Sequence, residues 1–179
     1  RTKDGQNYPV DAIIYGTGFQ ATDFLAPMKI TGRGGVDLNQ VWRDGAEAYL
    51  GMTVSGFPNL FLLYGPNTNL GHNSIVYMLE SQFSYILDAV KTLQQRDLRF
   101  VDVRSQVQGV YNRWVQKQIK NTIWDAGCTS WYKTASGKNT NNWPGFTLVY
   151  RYKTRHFDSQ DYELAVKSAR VLPLQVVAA

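Results

Sequence analysis

Apolar residues along this chain change period several times, and each change predicts an element. Val10 to Tyr15 is a near-continuous apolar run that stops at Gly16-Thr17-Gly18, the pattern of a strand buried on both faces. Met28 to Thr31 and Ala48 to Val54 read as further extended segments, and Phe57-Pro58-Asn59 turns into a strand at Leu60 to Tyr64. After a loop rich in Gly, Asn and Pro, from Gly65 to His72, the period lengthens. Val76, Leu79, Phe83, Ile86, Leu87, Val90 and Leu93 recur at three- and four-residue steps, the apolar face of a long helix. Asn73 or Ser74 is its expected N-cap. Arg99 to Val103 alternates as a short strand. A second helix follows Ser105, with Val107, Val110, Tyr111, Trp114 and Val115 as its stripe, ending near Trp124. Residues 128–145 form a long polar loop. Phe146 to Tyr152 reads as a strand, Asp158 to Ala169 as a weak helix, and Val171 to Ala179 as an apolar tail. The fold class this predicts is α/β or α+β, with two long helices and an ordered C-terminal extension.

Composition narrows the picture slightly. With 44% hydrophobic and 18% charged residues over 179 positions, the chain can bury a core as one domain. The net charge of +5 is too thinly spread for a polyanion, so nucleic acid is not an expected partner. Arg113, Lys117 and Lys120 read as a solvated helix face. No apolar run has the length of a membrane span. The single cysteine, Cys128, excludes an internal disulfide and points to a reducing, cytoplasmic setting. His72 and His156 sit in no metal-binding pattern, so no metal site is expected. The opening Arg1 to Tyr8 reads as the middle of a hairpin turning at Asp4-Gly5, without an initiating Met. The expectation is a fragment of a longer polypeptide.

The candidate chemistry lies where strands end in glycine. Such a turn lets the backbone bend sharply and approach a ligand, and the amides at a following helix start favour an anion or a carbonyl edge. Gly16-Thr17-Gly18 is one such place. Gly65-Pro66-Asn67, leading through His72 and Asn73 to Ser74 at the helix start, is the other. Together they suggest a dinucleotide enzyme, although the residues of the second equally suit an ordinary strand-to-helix turn. No GxGxxG occurs anywhere, so the turn that grips a pyrophosphate is not in this chain. Trp131, in a polar loop near Lys133 and Lys138, could stack on a sugar or donate through its indole nitrogen. On local sequence the preferred reading is that it anchors its loop onto the domain.

Three segments in order carry a family resemblance. DAIIYGTGF resembles the D-x-I-I-Y-A-T-G-F segment of the class B flavoprotein monooxygenases, the Baeyer–Villiger and flavin-containing monooxygenases, with Gly16 in place of the usual Ala. FPNLFLLYGPNTNLGHNSI resembles the last strand, loop and helix start of their FAD domain. WDAGCTSWYKTASGKNTNNWPGFTLVYRY resembles the C-terminal stretch of the Baeyer–Villiger-like members. The resemblance implies a partial FAD/NAD(P)-binding-type domain, a C-terminal piece whose pyrophosphate-binding motifs and fingerprint lie before Arg1. Residues 1–19 would end an NADPH-domain hairpin and link back, 20–125 would return through the FAD domain, and 126–179 would form the extension.

It also implies roles. Gly65, Pro66, Asn67, His72, Asn73 and Ser74 would lie against the flavin, Gly16, Thr17 and Gly18 near both cofactors, and Trp131 on the NADP ribose. The implied cofactors are FAD and NADP. The implied reaction is oxygenation by O2 of a ketone to an ester or lactone, or of nitrogen or sulfur in the flavin-containing branch. The competing reading is a non-catalytic structural or interaction module derived from the family. No residue of this chain is assigned as catalytic. The piece alone is expected to be inactive and to bind neither cofactor tightly. It is also expected to form homo-oligomers through exposed sheet edges.

Overall fold

A computed structural model describes residues 1–126 and 130–167, and its longest element is the helix expected after the Gly65 to His72 loop. In chain order the elements are α1 (Leu38–Val41), α2 (Ile75–Gln95), β1 (Leu98–Val103), α3 (Ser105–Ile119), α4 (Thr147–Lys153) and β2 (Tyr162–Val166), with single-turn helices at Arg33–Gly35 and Ser159–Asp161. β1 and β2 pair antiparallel, Val103 opposite Tyr162 and Leu98 opposite Val166, with one irregularity between Leu98 and Phe100. This is the α+β form of the expected class.

α2 forms because its sequence holds no Gly or Pro between Ile75 and Gln95, and it stops where Asp97 takes a positive φ of 47°. Its orientation differs from the apolar-stripe expectation. Met78, Ser81, Gln82, Tyr85 and Ala89 are buried, whereas Val76, Phe83, Leu87 and Val90 are exposed. The inward face tolerates polar groups because each is partnered. Gln82 accepts the Tyr64 amide at 3.0 Å and donates to the Tyr150 hydroxyl at 2.9 Å. The Tyr85 and Tyr162 hydroxyls share a hydrogen bond at 3.0 Å. Buried polar atoms so satisfied cost little. Met78, Tyr85 and Ala89 then join Met52, Val101, Val103, Val115, Ile119 and Trp143 in the main core.

Two expected elements are replaced. Phe146 to Tyr152, read as a strand, is the helix α4, in which Thr147 and Tyr150 face inward and Thr154 follows one turn on. Tyr150 decides this. It donates to Leu50 O at 2.7 Å and packs edge-on against Trp143, anchors that outweigh the β-preference of Val and Tyr. Asp158 to Ala169, read as a weak helix, begins as the single turn Ser159–Asp161 and continues as β2. There β1 supplies a free strand edge, and pairing with it satisfies every second amide. The tail from Val171 to Ala179 lies outside the described residues.

The strand expected at Val10 to Tyr15 is not formed, and its side chains are exposed, Ile14 by 95%. A strand exists only when a neighbour accepts its hydrogen bonds, and the described residues offer this one none. The turn at Asp4-Gly5 is present, closed by Gly5 N donating to Thr2 O at 2.9 Å, but no ladder extends from it. Leu60 to Tyr64 is likewise without a ladder, holding Leu62 N to Met52 O at 2.8 Å. Ala48 to Val54 doubles back, with Tyr49 bridging Thr53 around Leu50 and Gly51 in the left-handed region. Met28 to Thr31 contributes the single bridge Thr31 to Asp37.

A smaller cluster of Leu38, Trp42, Val54, Phe57 and Leu62 packs beside the main core. The buried Asp102 on β1 ties the two, accepting Gly56 N at 2.9 Å and Arg33 Nη1 at 3.3 Å, while Arg33 also reaches Glu163 at 2.7 Å.

Candidate functional site

The loop before α2 is built from the inside outward. Gly65 lies against the Tyr49–Thr53 turn so closely that a Cβ would stand 2.3 Å from Gly51 O. Its glycine is therefore required by chain-on-chain packing. Pro66, Asn67 and Thr68 are buried after it. Asn67 adopts a φ of 58° and spends its side-chain amide on Asn139 O at 2.9 Å and Asn142 O at 3.2 Å, while its backbone N donates to Thr140 O at 2.8 Å. Asn69 continues the clamp by bridging Asn142. Partial burial pushes the Tyr64 hydroxyl up, so it stays protonated and donates to Asn69 Oδ1 at 2.8 Å. The first half of the expected ligand loop is thus a scaffold, locked to residues 139–143.

The second half opens to solvent. Gly71, His72, Asn73 and Ser74 are all exposed. Asn73 Oδ1 accepts Ser74 N at 2.7 Å and Asn73 Nδ2 donates to Thr147 Oγ1 at 2.9 Å, which fixes the approach to α2 against α4. Ser74 is the N-cap by backbone angle, yet its hydroxyl makes no capping bond and the first turn of α2 carries no acid. The first amides of a helix have no partner within it. Here they face outward at the positive end of a 21-residue helix. Such a terminus suits an anion or a carbonyl edge.

Trp131 joins this surface through a relay of rings. It is 53% exposed and lies 4.9 Å from Tyr132, whose ring meets Trp124 edge-on at 5.6 Å. Trp124 in turn covers Gly71, where a Cβ would stand 2.3 Å from the indole. Lys133 holds the same loop by its ion pair with Asp125 at 2.7 Å. The structure therefore links Trp131 to Gly71 through Tyr132 and Trp124. Gly16, Thr17 and Gly18 are not brought there. They are exposed, and no described residue comes within 4 Å of where a Cβ would stand at Gly16 or Gly18. Cys128 lies outside the described residues.

Sequence reasoning missed the parts that hold this face. The sequence places Trp124, Asn139 and Asn142 within the family-resembling C-terminal stretch but assigns none of them a part in the site. The run Asn139-Thr140-Asn141-Asn142 before Trp143-Pro144 was the available signal, since side chains that bond backbone suit the fastening of one loop to another. Among the described residues there is no group of three His, Cys, Asp or Glu able to hold a metal ion. No helix of the described residues is long and apolar enough to cross a membrane.

Comparison with known proteins adds a second line. No protein-family model matches the chain. It is 49% identical over 163 residues to a Baeyer–Villiger monooxygenase of Pseudomonas aeruginosa, covering 90% of this chain and 31% of that protein. It is 43% identical over 166 residues to the FAD-binding monooxygenase ktnD of Aspergillus niger, covering 90% of this chain and 27% of that one. The chain thus spans about a third of the length of the curated relatives it matches. In three dimensions it superimposes on a solved complex of OTEMO with FAD and NADP at a TM-score of 0.72 and 25% identity, over 88% of this chain and 30% of that one.

Proposed function

The chain belongs to the Baeyer–Villiger-type flavin monooxygenases, and from that premise we propose that it forms part of an FAD- and NADPH-dependent enzyme oxidising a ketone to an ester or lactone. The observation that carries the reading is the α2 terminus: the exposed Gly71 to Ser74 segment, an unused Ser74 cap and a ring relay running from Gly71 to Trp131. These residues fit a flat cofactor with a polar edge. FAD, held at these residues, would supply the redox chemistry between NADPH and O2.

The chain's own groups bind and orient. The amides that open α2 hold the carbonyl edge of the flavin, with Asn73 and His72 beside them. Gly65, Pro66 and Asn67 set the angle at which the chain enters that helix. Trp131 presents its indole N–H to the ribose of NADP, and the Tyr132–Trp124 relay keeps that ring registered with the flavin side. Gly16, Thr17 and Gly18 belong to the same proposal as the crossing between cofactor domains, on the strength of the motif. So do a cytoplasmic location and self-association. Exposed Ile13, Ile14 and Tyr15, together with the outer face of α2, support the last.

The test is a chimera in which this chain replaces the matching stretch of the Pseudomonas aeruginosa relative. The expected result is retained FAD and NADPH oxidation coupled to an oxygenated ketone product. Loss of FAD from a folded chimera, or NADPH oxidation yielding only hydrogen peroxide with every ketone offered, would overturn the reading.

A further inference from the structure

On another side of the molecule, a recess of about 520 Å³ opens between α3, the Tyr49 turn and the end of α4. Its floor is aromatic. Tyr49 meets Tyr111 edge-on at 5.4 Å, and Tyr111 meets Trp114 at 6.0 Å. Val107 and Val110 form one wall, and Val110 is exposed. Rings braced against one another move little when a molecule enters, so the recess is preformed. None of the candidate cofactor residues lines it.

Two charged groups face this recess, and they are not equivalent. The Asp161 carboxylate already accepts the Tyr49 hydroxyl at 2.5 Å, and burial of that hydroxyl pushes its pKa up and keeps it a donor. The Lys153 ammonium instead stands 4.8 Å over the Trp114 ring and forms no ion pair among the described residues. The ring face it stands over attracts a cation weakly. The Tyr111 hydroxyl is buried with no hydrogen-bond partner among the described residues.

The geometry points to a binding site for a small carboxylate borne on an aromatic or alicyclic ring, with the carboxylate on Lys153 and the ring over the Tyr111–Trp114 floor. A phosphate calls for more than one cation or an arginine fork, and Asp161 nearby opposes a second negative charge. A cationic ligand would compete with Lys153 for the same ring face.

The experiment titrates the full 179-residue chain with naphthoate and with the neutral isostere naphthamide, following the indole N–H signal of Trp114 by NMR. A charge-assisted contact should favour naphthoate by about tenfold or more. Lys153→Met should erase that preference and leave naphthamide binding unchanged. Val110→Glu, at an exposed position, should weaken both. The proposal is overturned if the two probes bind equally, if Lys153→Met keeps the preference, or if naphthoate shows no saturable shift of Trp114 by about 1 mM, where binding would be under about 4 kcal/mol.

Discussion

Trp131 and Tyr111 are both aromatic, and their surroundings assign them opposite duties. Trp131 is half exposed beside the Tyr132 ring, and the proposed function gives it a contact with NADP. In the chimera, Trp131→Ala should weaken NADPH by about 1–3 kcal/mol, the loss of one hydrogen bond and a stacking face. FAD content should hold, since the α2 terminus is untouched; joint measurement of NADPH affinity and flavin occupancy checks this, and loss of FAD with NADPH affinity intact would reassign the loop. Tyr111 is the reverse case. Its ring packs between Tyr49 and Trp114 while its hydroxyl is orphaned. Tyr111→Phe should leave stability unchanged or raise it by up to about 1–3 kcal/mol, the usual penalty of an unsatisfied buried hydroxyl. Urea unfolding of the full chain reads this directly, and a clear destabilisation would mean that the hydroxyl has a partner.

At the scale of elements, α2 shows how hydropathy and burial can part. Gln82 is 0% exposed and Phe83, the next residue, is 50% exposed. Gln82→Leu leaves the Tyr64 amide without its acceptor, so it should cost about 1–3 kcal/mol despite the gain in hydrophobicity. Phe83→Ser should change the stability of the chain by less than about 0.5 kcal/mol, as an exposed substitution does. Denaturant midpoints of the two variants should therefore fall in the reverse of the order that hydrophobicity suggests. The same logic explains α4 and β2. Each is a short segment whose type was set by one anchor: Tyr150 against Trp143 and Leu50 for the helix, and the edge of β1 for the strand.

Among the apolar surfaces without cover among the described residues are the Val10 to Tyr15 segment with Phe19, and the outer face of α2 at Val76, Phe83, Leu87 and Val90. Surfaces of this kind associate in water. Light scattering of the isolated chain should give a mass that rises with concentration, and Leu87→Lys should lower it. A constant monomer mass at high concentration would refute the association.

Local pattern by itself located α2 and α3, because long periodic runs commit a segment to a helical face, although α3 ends at Ile119 rather than near Trp124. β1 was legible as an alternating run, but it is a strand because β2 pairs with it. Motif order located the family, and the apolar period narrowed the helix start to Asn73 or Ser74, of which the structure takes Ser74. Tertiary structure decided the rest. Which side of α2 turns inward depends on partners for Gln82 and Tyr85 that no window of sequence contains. Whether 10–15 and 60–64 form strands depends on neighbours they do not find here. The division of the Gly65 to Ser74 loop, a clamped half through Asn67 and an open half from Gly71, was decided by residues 139–143 folding back upon it. Packing and hydrogen bonding between segments distant along the chain are what periodicity cannot encode.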